Sequence, residues 1–109
     1  MNAARLCWSA AALILLAGLF WGIFMGVSHD HTTASAHAHL NLTGWVTLAL
    51  YGTYYALSGA GTTRIALIQS ALGILGSVTL ATGVAIVVTG GPEVPAVIGA
   101  FIILAAALL

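Results

Sequence analysis

Four histidines between positions 29 and 39 carry most of the chemistry that this sequence offers. His29 and His31 lie in a polar break, whereas His37 and His39 form a His-x-His pair at the start of an apolar stretch. Neutral imidazole is a good ligand for zinc, copper and haem iron. Because an ionisable side chain inside a membrane helix is costly and usually faces a cavity or a partner, the pair predicts a ligand site.

Helix geometry separates the two members of the pair, since a helix turns by about 100° per residue. His37 therefore shares a face with Asn41, Gly44, Leu48, Tyr51 and Tyr55. His39 shares the other face with Thr43, Val46, Leu50, Thr53 and Leu57. A single helix cannot direct both imidazoles at one small ion without unwinding, but it can hold a large planar ligand on each side.

The residues alone leave three interpretations of the histidines open. The first is a set of solvated side chains at a membrane interface with no ligand. The second is a zinc or copper site formed by His29, His31 and one of the helix histidines. The third is axial ligation of haem iron by His37 and His39.

The elements that position these histidines follow from composition. Of the 109 residues, 61% are hydrophobic and 4% are charged, with a mean hydropathy of +1.15. A soluble domain carries about 25% charged residues, so this composition predicts a membrane protein. Four apolar stretches, at residues 6–27, 37–57, 65–88 and 94–109, predict a single all-α domain of four transmembrane helices.

The few charged residues exclude some functions and indicate an orientation. Two cations and a net charge of zero exclude nucleic-acid binding. With four spans, Arg5 and Arg64 share one side of the membrane, and Asp30 and Glu93 share the other. The positive-inside rule then predicts a multi-pass protein with both termini in the cytoplasm; the family resemblance described below implies that the membrane is the bacterial inner membrane.

Glycines recur at spacings that bring helices close together. Gly18, Gly22 and Gly26 repeat every four residues in the first stretch, and Gly76 and Gly83 lie seven apart in the third. Small residues on one helix face allow backbones to approach closely in a membrane. They predict tight packing, either within the chain or between subunits.

The run from His37 to Val46, followed by Tyr51-Gly52-Thr53-Tyr54-Tyr55, resembles the haem-ligating second helix of haem-copper oxidase subunit I-like proteins. The resemblance is greatest to short bacterial relatives of cytochrome c oxidase subunit I. In the full family, twelve helices form three four-helix arcs, and the second helix of each arc carries haem or copper histidines. Outside this ten-residue motif the similarity is one of helix count and hydropathy.

The resemblance implies that this chain corresponds to one arc and assembles as a homotrimer or another small ring. Haem b would then lie between neighbouring subunits, with His37 of one and His39 of the next as axial ligands. The family pattern His-x-x-x-Asn selects His37 with Asn41, whereas the pattern His-x-Asn selects His39. Trp45 and Tyr51, on the same helix, are expected to flank the porphyrin.

The chain also departs from the family. The third and fourth stretches hold no histidine for a copper site, and no Glu, Asp or Lys lies within a span to conduct protons. In these two stretches, Gln69 is the main candidate for a buried polar side chain. The sequence therefore predicts a haem b protein for electron transfer or diatomic gas binding, with a redox partner, and leaves open whether it is an enzyme. The alternatives are a zinc- or copper-binding membrane module and a cofactor-free structural subunit of a respiratory complex.

Overall fold

The computed structural model describes residues 2–109, and every regular element within that range is a helix. Helices α1, α2, α3 and α4 span Ala3–Ser28, residues 34–58, Arg64–Val88 and Val94–Leu108. The prediction of an all-α chain with four helices is confirmed.

Helix α2 consists of three consecutive segments. An α-helical segment, Ala34–His39, carries the His-x-His pair. A π-helical segment, Leu40–Val46, follows directly. The helix then returns to α geometry in Thr47–Ser58 and ends at Gly59, whose φ of 72° is in the left-handed region.

Capping interactions, rather than hydropathy, set the helix ends. Helix α1 begins at Ala3, earlier than the predicted residue 6, because the Asn2 side chain accepts a 2.8 Å hydrogen bond from the Ala4 N–H. Helix α3 begins at Arg64, one residue earlier than predicted, because the Thr63 hydroxyl accepts from the Ala66 N–H at 3.2 Å. Helix α2 begins at residue 34 rather than 37. The sequence analysis took the helix boundaries from apolar stretches, so it left out polar residues that belong to the helix ends.

The four helices form a flattened layer. Helices α1, α2 and α3 pack on one another, whereas α4 packs almost entirely on α3. The molecule measures 44 × 28 × 16 Å, so it is flattened. The side chains of His37 and His39 are both half-buried, so each ring is partly accessible at the surface of the molecule.

The positively and negatively charged residues lie at opposite ends of the molecule, in agreement with the sequence analysis. The Ala3 N–H donates to the Gly61 carbonyl at 2.7 Å, which ties the start of α1 to the connection between α2 and α3. Arg5 and Arg64 consequently lie at one end of the layer. The connections that contain Asp30 and Glu93 lie at the other end.

Close backbone contact between α3 and α4 explains the glycines of the third stretch. A Cβ at Gly83 would overlap the backbone of Ala96, and a Cβ at Gly76 would come within 3.0 Å of the side chains of Ile102 and Ile103. The predicted tight packing of these two glycines is confirmed, and it occurs within the chain.

The interior contains a few polar side chains that bridge helices. The Tyr55 hydroxyl donates to Gln69 Oε1, and Gln69 Nε2 donates to the Ala106 carbonyl at 2.9 Å. The Cys7 thiol donates to Ser70 Oγ at 3.1 Å. Gln69 is buried, as predicted, and these bonds connect α3 to each of the other three helices.

The outer surface is strongly apolar. Helices α1 and α3 are long and apolar enough to cross a membrane, and α4 is a shorter apolar helix. Large apolar side chains are exposed on all four helices, including Phe20, Leu57, Ile65 and Phe101. Such a surface suits a lipid environment.

Replacement of Gly83 by Ala tests the packing of α4. The added Cβ forces α3 and α4 apart, and we expect a loss of about 1–3 kcal/mol in unfolding free energy, measured by denaturant titration in mild detergent. Gly26→Ala is the matched control, because nothing lies within 4 Å of its Cβ position. The control is expected to be neutral or stabilising by about 0.5–1 kcal/mol, since Ala favours helix more than Gly. Equal effects of the two substitutions would contradict the packing.

Candidate functional site

A groove between α1 and α2 contains one of the two helix histidines. Its volume is 480 Å³. It is lined by Leu15, Gly18, Leu19, Gly22, Ile23, His37, Asn41 and Trp45. The groove is apolar except for His37, Asn41 and the indole of Trp45, and its size falls within the range of about 300–1,000 Å³ typical of small-molecule sites.

His37 is fixed against α1 by a hydrogen bond. Its Nε2 lies 2.8 Å from the Gly18 carbonyl oxygen. Since a carbonyl only accepts, Nε2 carries a proton, and in the neutral ring Nδ1 keeps a free lone pair. A Cβ at Gly22 would lie 3.4 Å from Nε2, whereas a Cβ at Gly18 would overlap the side chain of Asn41. Gly22 thus makes room for the His37 ring, and Gly18 makes room for Asn41.

Trp21 holds the other side of the His37 ring. The two rings meet edge to face, with centroids 5.7 Å apart and planes at 84°. The indole N–H of Trp21 donates to Thr33 Oγ1 at 3.0 Å, in the connection before α2. Trp21 therefore links the position of His37 to that connection.

Asn41 lies next to His37 but has no good hydrogen bond to it. Asn41 Nδ2 is 3.5 Å from His37 Nε2, and both atoms are donors once the bond to the Gly18 carbonyl is made. The amide therefore keeps hydrogen-bonding capacity for a molecule in the groove.

His39 occupies the opposite side of α2, as the helix geometry predicts. Its Nδ1 lies 2.7 Å from the Ser35 carbonyl oxygen, so Nδ1 carries the proton. The half-buried ring therefore presents an unprotonated Nε2. Metal-ligating histidines commonly donate the other ring N–H to a backbone carbonyl in this way, which fixes the tautomer. His39 is thus held in the tautomer of a metal ligand, and no residue of α1 forms a hydrogen bond to its ring.

The π-helical segment begins at the residue after His39. The Thr47 N–H bonds to the Leu42 carbonyl five residues earlier, and the Thr47 hydroxyl donates to the same oxygen at 2.6 Å. The Thr43 hydroxyl donates to the His39 carbonyl at 2.7 Å. These hydroxyls satisfy carbonyls in a rare backbone form that is found frequently at functional sites.

Five buried residues of α2 lie four positions apart, at Ala36, Leu40, Gly44, Leu48 and Gly52, and Ala49 and Tyr55 are buried as well. The row with a spacing of four crosses both the π segment and the α-helical turns after it, so it does not mark the π segment alone. Burial also depends on the fold, and the sequence analysis did not predict the π segment.

The two aromatic residues expected beside a porphyrin lie in different places. Trp45 lines the groove and meets Trp8 edge to face, with centroids 6.4 Å apart. Tyr51 packs with Cys7 and towards α3, where a Cβ at Gly73 would lie 3.6 Å from its ring. The structure thus brings His37, Asn41 and Trp45 together and places Tyr51 outside the groove.

The connection between α1 and α2 contains His29 and His31, which are exposed. Asp30 accepts hydrogen bonds from the Thr32 hydroxyl at 2.6 Å and the Thr32 N–H at 3.0 Å, and these bonds lower the pKa of its carboxyl. Within residues 2–109, no group of three or more His, Cys, Asp or Glu side chains is arranged to hold a metal ion. His29 and His31 are thus not joined by a third such ligand.

Comparison of the chain with protein-family models, with curated proteins and with solved structures finds no match. The site is therefore interpreted from its own geometry. Its main features are a histidine in a groove on one side of α2 and a histidine with a free Nε2 on the other. Sequence reasoning identified both histidines but missed the roles of Trp21, Ser35 and the carbonyl of Gly18.

The opposite tautomers of the two histidines can be measured directly. Long-range proton–nitrogen correlation spectra of the cofactor-free protein, recorded at mildly alkaline pH, should show His37 protonated at Nε2 and His39 protonated at Nδ1. The reason is that each proton lies in a hydrogen bond to a backbone carbonyl. The same tautomer at both positions would contradict the arrangement.

Proposed function

We propose that this protein is an integral membrane haem b protein that transfers electrons, and that each haem lies between two subunits of a small ring, with a trimer favoured. The observation that carries the proposal is the pair of histidines on opposite sides of α2. His39 is held in the tautomer of a metal ligand, and His37 faces a groove of 480 Å³. Haem, when bound, supplies a one-electron carrier.

His39 fits an axial position without rearrangement. The bond from Nδ1–H to the Ser35 carbonyl orients the ring and leaves the lone pair of Nε2 available. The same bond raises the basicity of the ligating nitrogen. The ring is only half-buried, so a ligand can reach it from outside the subunit.

His37 fits after one hydrogen bond is exchanged. Its Nε2 must release the Gly18 carbonyl, and the ring proton must move from Nε2 to Nδ1 before Nε2 can ligate. Loss of the hydrogen bond costs about 1 kcal/mol, the net value of a typical hydrogen bond. The ring then turns within a groove whose floor has no Cβ at Gly18 or Gly22. Asn41 and Trp45 line the same groove and would contact the ligand.

The opposite placement of the ligands favours sharing between copies. One chain cannot direct both histidines at a single iron, but a ring of identical chains pairs His37 of each subunit with His39 of the next. The partial exposure of both histidine rings supports this arrangement, because a neighbouring subunit can reach each of them. With two histidine ligands the iron has no open position, which favours electron transfer over gas binding.

The proposed setting is the bacterial inner membrane, with four spans and both termini in the cytoplasm. The distribution of charge supports this orientation, since Arg5 and Arg64 lie at one end and Asp30 and Glu93 at the other. The 15 residues of α4 extend about 22 Å, less than the hydrocarbon core of about 30 Å. The bilayer would adapt by thinning locally.

Visible spectra of the purified protein test the proposal. Protein from haem-replete cells should show the sharp reduced bands of six-coordinate haem b, with about one haem per chain by pyridine haemochrome. His39→Ala and His37→Ala should each lower the haem content at least tenfold, because each removes an axial ligand.

His31→Ala is the matched control, since this histidine is exposed in the connection before α2. It should keep the wild-type spectrum. A colourless wild-type protein would overturn the proposal, as would a haem that survives both helix substitutions and is lost with His31.

A further inference from the structure

A cavity of 530 Å³ lies at the opposite end of the molecule from the histidines. Its walls come from the first turns of α1 and from the connection into α3. They are formed by Asn2, Arg5, Leu6, Ser9 and Thr62. The cavity contains one of the two cations of the chain, and its other polar groups are two hydroxyls and an amide.

The two walls of this cavity are joined by close contacts. The Ala3 N–H donates to the Gly61 carbonyl at 2.7 Å. A Cβ at Gly61 would come within 2.5 Å of Asn2 Oδ1, which itself caps the Ala4 N–H. These contacts hold the first turn of α1 against the connection into α3.

Ser9 is an unusual residue for its position. It is exposed and lies one helical turn from Arg5, about 6 Å deeper along α1. Every other exposed residue of α1 between Arg5 and Ser28 is apolar or glycine. Ser9 places a hydroxyl on the same helix face as the guanidinium of Arg5, so both side chains can donate hydrogen bonds to one anion.

The charge distribution of the chain also favours an anion here. Both cations, Arg5 and Arg64, lie at this end, and both carboxylates, Asp30 and Glu93, lie at the other. Of the two cations, only Arg5 lines the cavity. A comparison of Arg5 with Arg64 can therefore separate the effect of the cavity from the effect of positive charge at this end of the molecule.

We propose that this cavity binds the phosphate group of an anionic phospholipid. The guanidinium of Arg5 can donate two parallel hydrogen bonds to phosphate oxygens, and the hydroxyls of Ser9 and Thr62 can donate further bonds. Leu6 continues the cavity into the apolar surface of α1, where an acyl chain lies. The inference requires that the chain is embedded in a membrane, and it does not depend on haem.

Lipid retention by the purified protein tests this site. The protein is reconstituted with equal amounts of phosphatidylglycerol and phosphatidylcholine, extracted in mild detergent and analysed by native mass spectrometry. The wild type should retain phosphatidylglycerol preferentially. Arg5→Gln should reduce that retention about tenfold, as expected for loss of charge-assisted hydrogen bonds. Arg64→Gln, which removes the same charge at the same end, should change it less than twofold.

Three results would overturn the inference. Equal losses in the two arginine variants would assign the effect to the overall charge of this end. Equal retention of both lipids would remove the anion preference. Displacement of phosphatidylglycerol by inorganic phosphate would identify a site for free phosphate. The haem content of Arg5→Gln, measured on the same samples, stays at the wild-type value, so this inference and the haem proposal fail separately.

Discussion

A helix that turns by about 100° per residue places side chains two residues apart on nearly opposite sides, and the arrangement of His37 and His39 depends on this constraint. Each histidine is further fixed by one hydrogen bond to a backbone carbonyl. The bond to Gly18 turns His37 inward, at 2.8 Å, and the bond to Ser35 leaves His39 with a free Nε2, at 2.7 Å. One helix thus carries two imidazoles in opposite tautomers on its two sides.

Close contacts with α1 hold helix α2 in position. Gly18 makes room for Asn41 and Gly22 makes room for His37, and a Cβ at Gly44 would lie 2.8 Å from Ile14 Cγ2. Tight contacts through small residues are the main means by which helices associate where water is absent. The apolar exterior of the layer therefore agrees with an interior held by small residues and a few bridging hydrogen bonds.

The coarse architecture was predictable because it depends on apolar stretches and on polar breaks, both of which are local. The all-α class, the four helices and the separation of His37 from His39 all follow from such patterns. The tautomers were not predictable, because they depend on carbonyls at Gly18 and Ser35 that any residue type would supply. Tyr51 was assigned to the ligand site by its position on α2, but tertiary packing turns it towards α3 and Cys7. The π segment was not predicted, because it depends on hydrogen bonds and packing that no residue pattern in this chain indicates.

The central claim, that haem is shared between subunits, is tested most directly by complementation. The variants His37→Ala and His39→Ala are produced separately and together in haem-replete cells, and haem per chain is measured after purification. Each variant alone should bind little haem. Together they should recover about a quarter of the wild-type amount, since with equal random mixing each partner at an interface has about an even chance of supplying the intact histidine that the interface needs. Co-production that recovers no haem would contradict sharing between subunits.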